Sequence, residues 1–375
     1  MYHPRLSGSY YEMGFKYGSI LKRVGYRVPK VSEEMRKFAK ECEVEVKRVF
    51  PEILDELQGF ADGCEISYED LKAFFLALDS GEHNSCSIFA ASLPHPILGR
   101  NYDFYYAYKK YAETCLTMPR DAYWSLGNST IFIGKEDGIN EAGLAIAMST
   151  VRIKEFRPGV NWFIAVRAVL DKCSSVAEAI KFLSNVKFST GNNYLLVDES
   201  GDMAVVEASS QKVRVRKKAK QSFLVATNHF MHPEMKDAEN IKERPPTSVR
   251  RYKRIMEIIS LNDGKVDTEL AKKILADHKG SVCSHVKAIK LGTLWSFITL
   301  PRKRKALIAA GHPCKAHYKE DKRLKQTLIK NIEKIKFLEP RPGFEPGTTA
   351  SLSTCAYQGG ALTGLGHRGI IKIYH

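Results

Sequence analysis

After Cys86 the spacing of apolar residues switches from a helical period to a strand period, and this switch constrains the fold more than any other feature. Before it, "SEEMRKFAKECEVEVKRVFPEILDELQGFADG" carries apolar residues three and four apart, with Pro51 opening a second helix and Gly63 closing it. "SYEDLKAFFLAL" begins another helix, with Ser67 and Asp70 set as a capping box. Residues 1 to about 80 therefore read as helical. Beyond Cys86, "SIFAAS", "PILGRN", "STIFIG", "GLAIAMST", "NYLLVD", "DMAVVEA", "KVRVR" and "SFLVATN" are short β-type runs parted by Gly, Asn, Asp or Ser. "DESGD" reads as a hairpin connection, and Asn140 and Glu141 shape another. Helices are expected from Asn161 to Asp171, at "SVAEAIKFLSN" capped by Ser175 with Glu178, and at "SVRRYKRIMEIISL" and "TELAKKILADH". Two last strands fall at "TLWSFITL" and "KALIAAG". Antiparallel strands with helices in blocks describe an α+β layered fold, not a parallel βαβ series.

From Glu339 onward the pattern stops. "EPRPGFEPGTTASLSTCAYQGGALTGLGHRG" is rich in Gly, Pro, Ser and Thr and reads as a flexible or adventitious tail over 339–375. The whole chain, 375 residues with 44% hydrophobic and 27% charged side chains, has the balance of a globular protein able to bury a large core. No apolar run nears the ~18 residues that span a bilayer. "MYHPRLSGSYYEMG" lacks the layout of a signal peptide, so a cytoplasmic location is expected. The eight cysteines include no Cys-x-x-Cys pair, so no metal site is expected; most, Cys314 among them, read as structural. The net charge of +16 raises the possibility of a nucleic-acid partner, with positives concentrated at Pro301–Lys305 and Lys319–Lys336. Without a helix-turn-helix, zinc-finger or aromatic RNA-binding pattern, a solvated basic face is the preferred reading and no specific nucleic acid is expected.

The chemistry centres on "NSCSIFAASLPHPILGRNYDF". Asn84 and Ser85 suit an exposed turn leading into the strand that Cys86 opens. A hairpin through "SLPHP" returns Arg100 and Asp103 beside Cys86. Arginine favours a thiolate, and a carboxylate can hold a protonated amine. His83 and His95 are near in sequence but lack the setting of a cysteine–histidine pair. A cut before Cys86 would supply another base: an α-amino group with a pKa of roughly 8, on the nucleophile's own residue.

In these residues the chain resembles the isopenicillin-N acyltransferase-like family of N-terminal nucleophile (Ntn) hydrolases, related to choloylglycine hydrolase and acid ceramidase. The likeness lies in the shared order of "GSYYEMGFKYG", "LDELQGFADGCEISYEDL", "NSCSIFAA", "GRNYDF", "DGINEAGLAIAMST", "NNYLLVDESGDMAVVEAS", "ATNHF", "SVRRYKRI" and "AAGHPC". It implies an αββα sandwich, a helical pro-segment at 1–85, a catalytic domain at 86–338, and self-cleavage between Ser85 and Cys86. It further implies that Cys86 is the nucleophile, with Arg100 against the thiol and Asp103 on the new amine. Asn228 would donate to the oxyanion and Arg251 would complete the polar cluster. Thr150 stands where some choloylglycine hydrolases have asparagine, so the second oxyanion donor is either Thr150 or a backbone N–H. The implied reaction is acyl transfer from an N-acyl amide or acyl thioester to water or an amine, with no cofactor and with the two cleaved chains staying together. Two other readings stay open. One is a papain-like peptidase without chain cleavage; the other is an inactive nucleic-acid-binding protein using residues 301–336.

Overall fold

The computed structural model describes residues 1–78, 85–217 and 221–338; His83, Asn84 and the tail at 339–375 lie outside the described residues. The chain opens with β1 (Arg5–Gly8), followed by α1 (Tyr10–Arg23), α2 (Glu33–Val49), α3 (Glu52–Cys64) and α4 (Tyr68–Leu76). Six strands follow: β2 (Ser85–Ala91), β3 (Ile97–Tyr105), β4 (Glu113–Pro119), β5 (Ser125–Ser129), β6 (Asp137–Asn140) and β7 (Ala145–Thr150). Next come α5 (Trp162–Lys172), α6 (Val176–Ser184), β8 (Asn192–Val197), β9 (Met203–Ala208), β10 (Val213–Lys217) and β11 (Phe223–Ala226). The last part holds α7 (Ser248–Ser260), α8 (Thr268–Leu275), β12 (His285–Val286), β13 (Leu291–Leu300), β14 (Lys305–Ala309), β15 (Lys319–Asp321) and α9 (Arg323–Leu338).

The strands form two sheets, one in the order β1-β4-β5-β6-β7-β8-β9-β10 and the other β11-β2-β3-β13-β14-β15, with β12 added to β13. Strand alternation builds the layers. In β7, Ala145 and Ala147 enter the apolar layer between the sheets, while Ile146 and Met148 enter the one shared with α1–α6. In β2, Cys86, Ile88 and Ala90 face the inter-sheet layer, and Phe89 and Ala91 face α7 and α8. The result is the expected αββα sandwich, with the strand runs buried on both faces.

The N-terminal helices share one core with α5, α6 and the first sheet. Glycines at four-residue spacing let α1 and α3 touch backbone to backbone. A Cβ on Gly14 would lie 2.0 Å from the Glu56 carbonyl oxygen, and one on Gly63 2.1 Å from that of Phe15. Below this crossing the Arg167 guanidinium of α5 meets Glu56 of α3 at 3.0 Å and Asp171 at 2.7 Å, all fully buried.

Two local expectations differ. The first residues are not wholly helical: β1 pairs in parallel with β4. "STIFIG" is not a strand beyond Ser129. The Ser129 hydroxyl accepts from the Ile131 amide at 2.9 Å, and the Glu136 carboxylate takes both the amide and the hydroxyl of Thr130, so side chains capture the groups a ladder would need. Within the basic stretch, Arg302, Lys303, Lys322 and Lys325 are exposed, as a solvated face requires, and other cations are paired. Arg304 pairs with Glu199, Lys305 with Glu320 and Arg323 with Asp321, and Leu324 of α9 is buried in the inter-sheet layer. Among the described residues, no helix is long and apolar enough to cross a membrane.

Candidate active site

Cys86 sits near the start of β2, between β11 and β3, with Tyr102 as its partner across the ladder. Arg100 lies opposite Ile88, two positions along, and so shares the inter-sheet face with Cys86. Its Nη2 is 3.5 Å from the Cys86 sulfur. The guanidinium is held from the facing sheet: Nη1 donates to Asp137 Oδ2 at 2.6 Å, and Glu136 Oε2 is 3.7 Å from Nη2. It also lies 4.9 Å from the ring of Tyr102 and 5.7 Å from that of Trp295, two rings that stack on each other. The Trp295 indole N–H donates to the same Asp137 oxygen at 3.0 Å. Arg100 thus joins both sheets beneath the thiol.

Asp103 is close enough for its charge to act on the Cys86 thiol, but it is on the other face of the sheet from Arg100. It pairs with Ser85 and lies an odd number of residues from Arg100, which turns it to the α7/α8 side of the sheet. There Oδ1 accepts from the Thr293 hydroxyl at 2.6 Å, while Oδ2 has no hydrogen-bond partner among the described residues. Arg251 of α7 is on this side as well. Its Nη1 donates to the Cys86 carbonyl and, at 3.1 Å, to the Ser87 hydroxyl; its Nη2 donates to the Ser85 hydroxyl at 2.8 Å and to Asn228 Oδ1 at 2.8 Å. Although its neighbours on α7 include exposed basic residues, the Arg251 side chain is fully buried.

Asn228 closes the cluster just after β11. Oδ1 accepts from the Cys86 amide at 2.9 Å, and Nδ2 donates to the Thr150 carbonyl at 2.9 Å. Thr150 therefore meets the site through its backbone oxygen. The "ATNHF" segment is rigidly seated. Asn193 Nδ2 donates to the Thr227 carbonyl at 2.7 Å and to that of His229 at 3.1 Å, and the Ser149 hydroxyl donates to Thr227 at 2.6 Å. His229 Nδ1 is bonded to Thr227 and Ser248, and burial pushes its pKa down to about 4, so it serves the loop rather than the thiol. His95 is exposed in the β2–β3 turn, at the far end of the hairpin from Cys86. The described residues thus bring no histidine to the sulfur.

Burial sets the electrostatics. It raises the Cys86 thiol to about 11, against the opposing pull of Arg100. It raises Asp103 to about 7, with Arg251 and the Thr293 bond opposing, and raises Glu136 to about 7 against Arg100. The intact chain therefore holds a protonated thiol that needs a base and a carboxyl group with one oxygen lacking a hydrogen-bond partner among the described residues. Sequence reasoning missed Asp137, Glu136, Trp295 and Thr293, which reach the site only through contacts between strands distant in sequence.

Two sheets stacked as an αββα sandwich, with Cys86 and Arg100 on the inner face of one, give the chain an Ntn-type fold. Residues 92–315 match the family model described as acyl-coenzyme A:6-aminopenicillanic acid acyl-transferase, and the chain belongs to that family. The match begins after Cys86 and contains Arg100, Asp103, Thr150, Asn228 and Arg251. Among solved structures, the chain is similar to the Caenorhabditis elegans ortholog of N-acylethanolamine-hydrolyzing acid amidase (16% identity, 58% of this chain and 92% of that one, TM-score 0.41). It is also similar to penicillin V acylase from Agrobacterium tumefaciens (17%, 60% and 82%, TM-score 0.40). A mutant conjugated bile acid hydrolase from Clostridium perfringens gives 15%, 64% and 96%, with TM-score 0.41. No curated protein sequence matched significantly.

Proposed function

We propose that the chain is a self-processing cysteine acyl-transfer enzyme, cut between Ser85 and Cys86 and acting on N-acyl amides or acyl thioesters. The observation that carries this reading is how Arg251 and Asn228 bracket the Ser85–Cys86 bond. They bind the Ser85 hydroxyl, the Cys86 amide, the Cys86 carbonyl and the Ser87 hydroxyl, with the thiol on the opposite face against Arg100. Side chains that immobilise the backbone on both sides of one peptide bond suit an attack on that bond.

In the first step the Cys86 thiol adds to the Ser85 carbonyl. The C–N bond breaks, the acyl group passes to sulfur, and the proton passes to the released amine. Water then cleaves the thioester, leaving a carboxylate on Ser85 and a thiol and α-amine on Cys86. The new ammonium would lie beside the residue paired with Asp103, whose second oxygen has no hydrogen-bond partner among the described residues. That neighbour would draw the Asp103 pKa back down.

In turnover the neutral α-amine takes the thiol proton, and sulfur attacks the substrate carbonyl. Asn228 Nδ2 donates to the oxyanion; an NH2 group donates twice, so its bond to Thr150 is compatible with this role. The ammonium returns its proton to the departing amine or thiol. The thioester on Cys86 then passes its acyl group to water or an amine. Residues 1–85 would remain as a small chain, held by the β1–β4 pairing, the Glu56–Arg167 pair and the core its helices share with α5 and α6.

A panel of N-acyl amides and acyl thioesters of graded chain length tests the reading. A substrate that is turned over should leave an acyl adduct on Cys86, detectable by mass. Full turnover by Cys86→Ala would overturn it.

A further inference from the structure

We propose that His278, Cys283, His285 and Cys314 form a tetrahedral zinc site, separate from Cys86 and built behind Asp103. One ligand atom from each residue lies within 4.8 Å of all the others. The His285 Nε2 is 3.3 Å from the Cys283 sulfur and 3.4 Å from the Cys314 sulfur. Zinc–sulfur and zinc–nitrogen bonds of about 2.3 and 2.1 Å at tetrahedral angles separate such atoms by about 3.6 Å. Two thiolates with two imidazoles form a donor set that selects zinc over hard, oxygen-seeking cations.

The site joins three separate segments: His278 after α8, Cys283 and His285 leading into β12, and Cys314 in the turn after β14. This dispersal explains why residue spacing gave no sign of it. Cys283 is buried, Cys314 half-buried, and both histidines exposed, so an ion could reach the cluster from solvent. The Cys314 backbone amide donates to the Cys283 sulfur, the kind of contact that steadies a thiolate. The His312 ring stacks on His285 at 3.8 Å and is held by the Tyr106 hydroxyl at 3.2 Å. Gly292, paired with His285, leaves no room for a side chain: a Cβ there would lie 2.4 Å from the Tyr106 hydroxyl and 2.7 Å from His312.

The ligand loop is fastened to the strands of the candidate active site. Asn101 Nδ2 donates to the Val282 carbonyl at 2.9 Å. The Ser284 amide donates to the Thr293 hydroxyl at 3.1 Å, and the Thr293 amide donates back to the Ser284 carbonyl at 3.2 Å. That Thr293 hydroxyl is the donor to Asp103. An ion held by Cys283 and His285 would therefore fix Thr293 from behind, whatever the role of Asp103.

The full chain, purified from zinc-supplemented medium without chelator, should carry about one zinc by elemental mass spectrometry. Thiol modification should release that zinc to a chromogenic chelator. Cobalt in place of zinc should give the visible bands of tetrahedral coordination and thiolate charge transfer, and Cys314→Ser should lose the metal and melt lower. If that variant fails to fold, release and cobalt spectra on the unaltered protein decide. Cooperatively folded protein with less than about a tenth of an ion per chain would overturn the proposal. So would recovery of a Cys283–Cys314 disulfide peptide from it.

Discussion

Replacing Asn228 by alanine and by aspartate separates its positioning role from its proposed oxyanion role. Alanine removes the acceptor of the Cys86 amide and of Arg251 Nη2, and the donor to Thr150, all at buried positions. Each buried group stranded in this way costs about 1–3 kcal/mol, so Asn228→Ala should lose about 3 kcal/mol or more of stability. Aspartate keeps both acceptor contacts and gains charge complementarity with Arg251, while losing the N–H donors. Asn228→Asp should therefore fold, but with processing and turnover slowed by ~10²–10³-fold. Chemical denaturation gives the first quantity. A time course of intact mass after synthesis gives the second and needs no knowledge of the substrate. Processing of Asn228→Asp within about threefold of the unaltered chain would refute the donor role, because a lost oxyanion donor costs far more than that.

Three further outcomes are expected. Gly14→Ala, with its Cβ 2.0 Å from a backbone oxygen, should separate α1 from α3 and cost about 1–3 kcal/mol in thermal or urea unfolding; an unchanged midpoint would show that the crossing can relax. Arg100→Ala should impair maturation and turnover together, since it removes the thiol's cation and the ion-pair partner of Asp137; wild-type rates would take Arg100 out of the site. In uncut Cys86→Ala, Asp103 is raised to about 7 in the folded state, so its contribution is complete below the unfolded carboxylate range near 4 and is lost as pH rises toward 7. Denaturation at pH 5 and 7.5 should therefore show a falling trend, shared with Glu56, Glu113 and Glu136, that Asp103→Asn makes shallower; an identical trend in both proteins would contradict the assignment to Asp103.

The layered fold was legible because most of its strands are apolar runs, such as "GLAIAMST" and "NYLLVD", buried on both faces. β4 to β6 were not, because "SLGNS" and "DGIN" are held by buried polar bonds; Asn128 donates to Asp137 at 2.6 Å and accepts from Thr114 at 2.7 Å, and no hydrophobic period registers that. Within the candidate site, Cys86 and Arg100 could be placed on one face by strand alternation. The same alternation puts Asp103 on the other face, a consequence of its odd spacing that the hairpin alone obscures. Asp137 and Trp295 lie on strands that meet Arg100 only once two sheets stack, and the His278–Cys314 cluster depends on three loops converging. Such contacts leave no trace in local spacing.

The central claim is the cut between Ser85 and Cys86, and intact-mass measurement with N-terminal sequencing of the purified, active protein tests it most directly. The account predicts two co-purifying chains, residues 1–85 and one beginning with Cys86, formed without added protease, and a single uncut chain for Cys86→Ala. Turnover by a protein that remains one chain would contradict it, because no α-amine would then exist to take the thiol's proton.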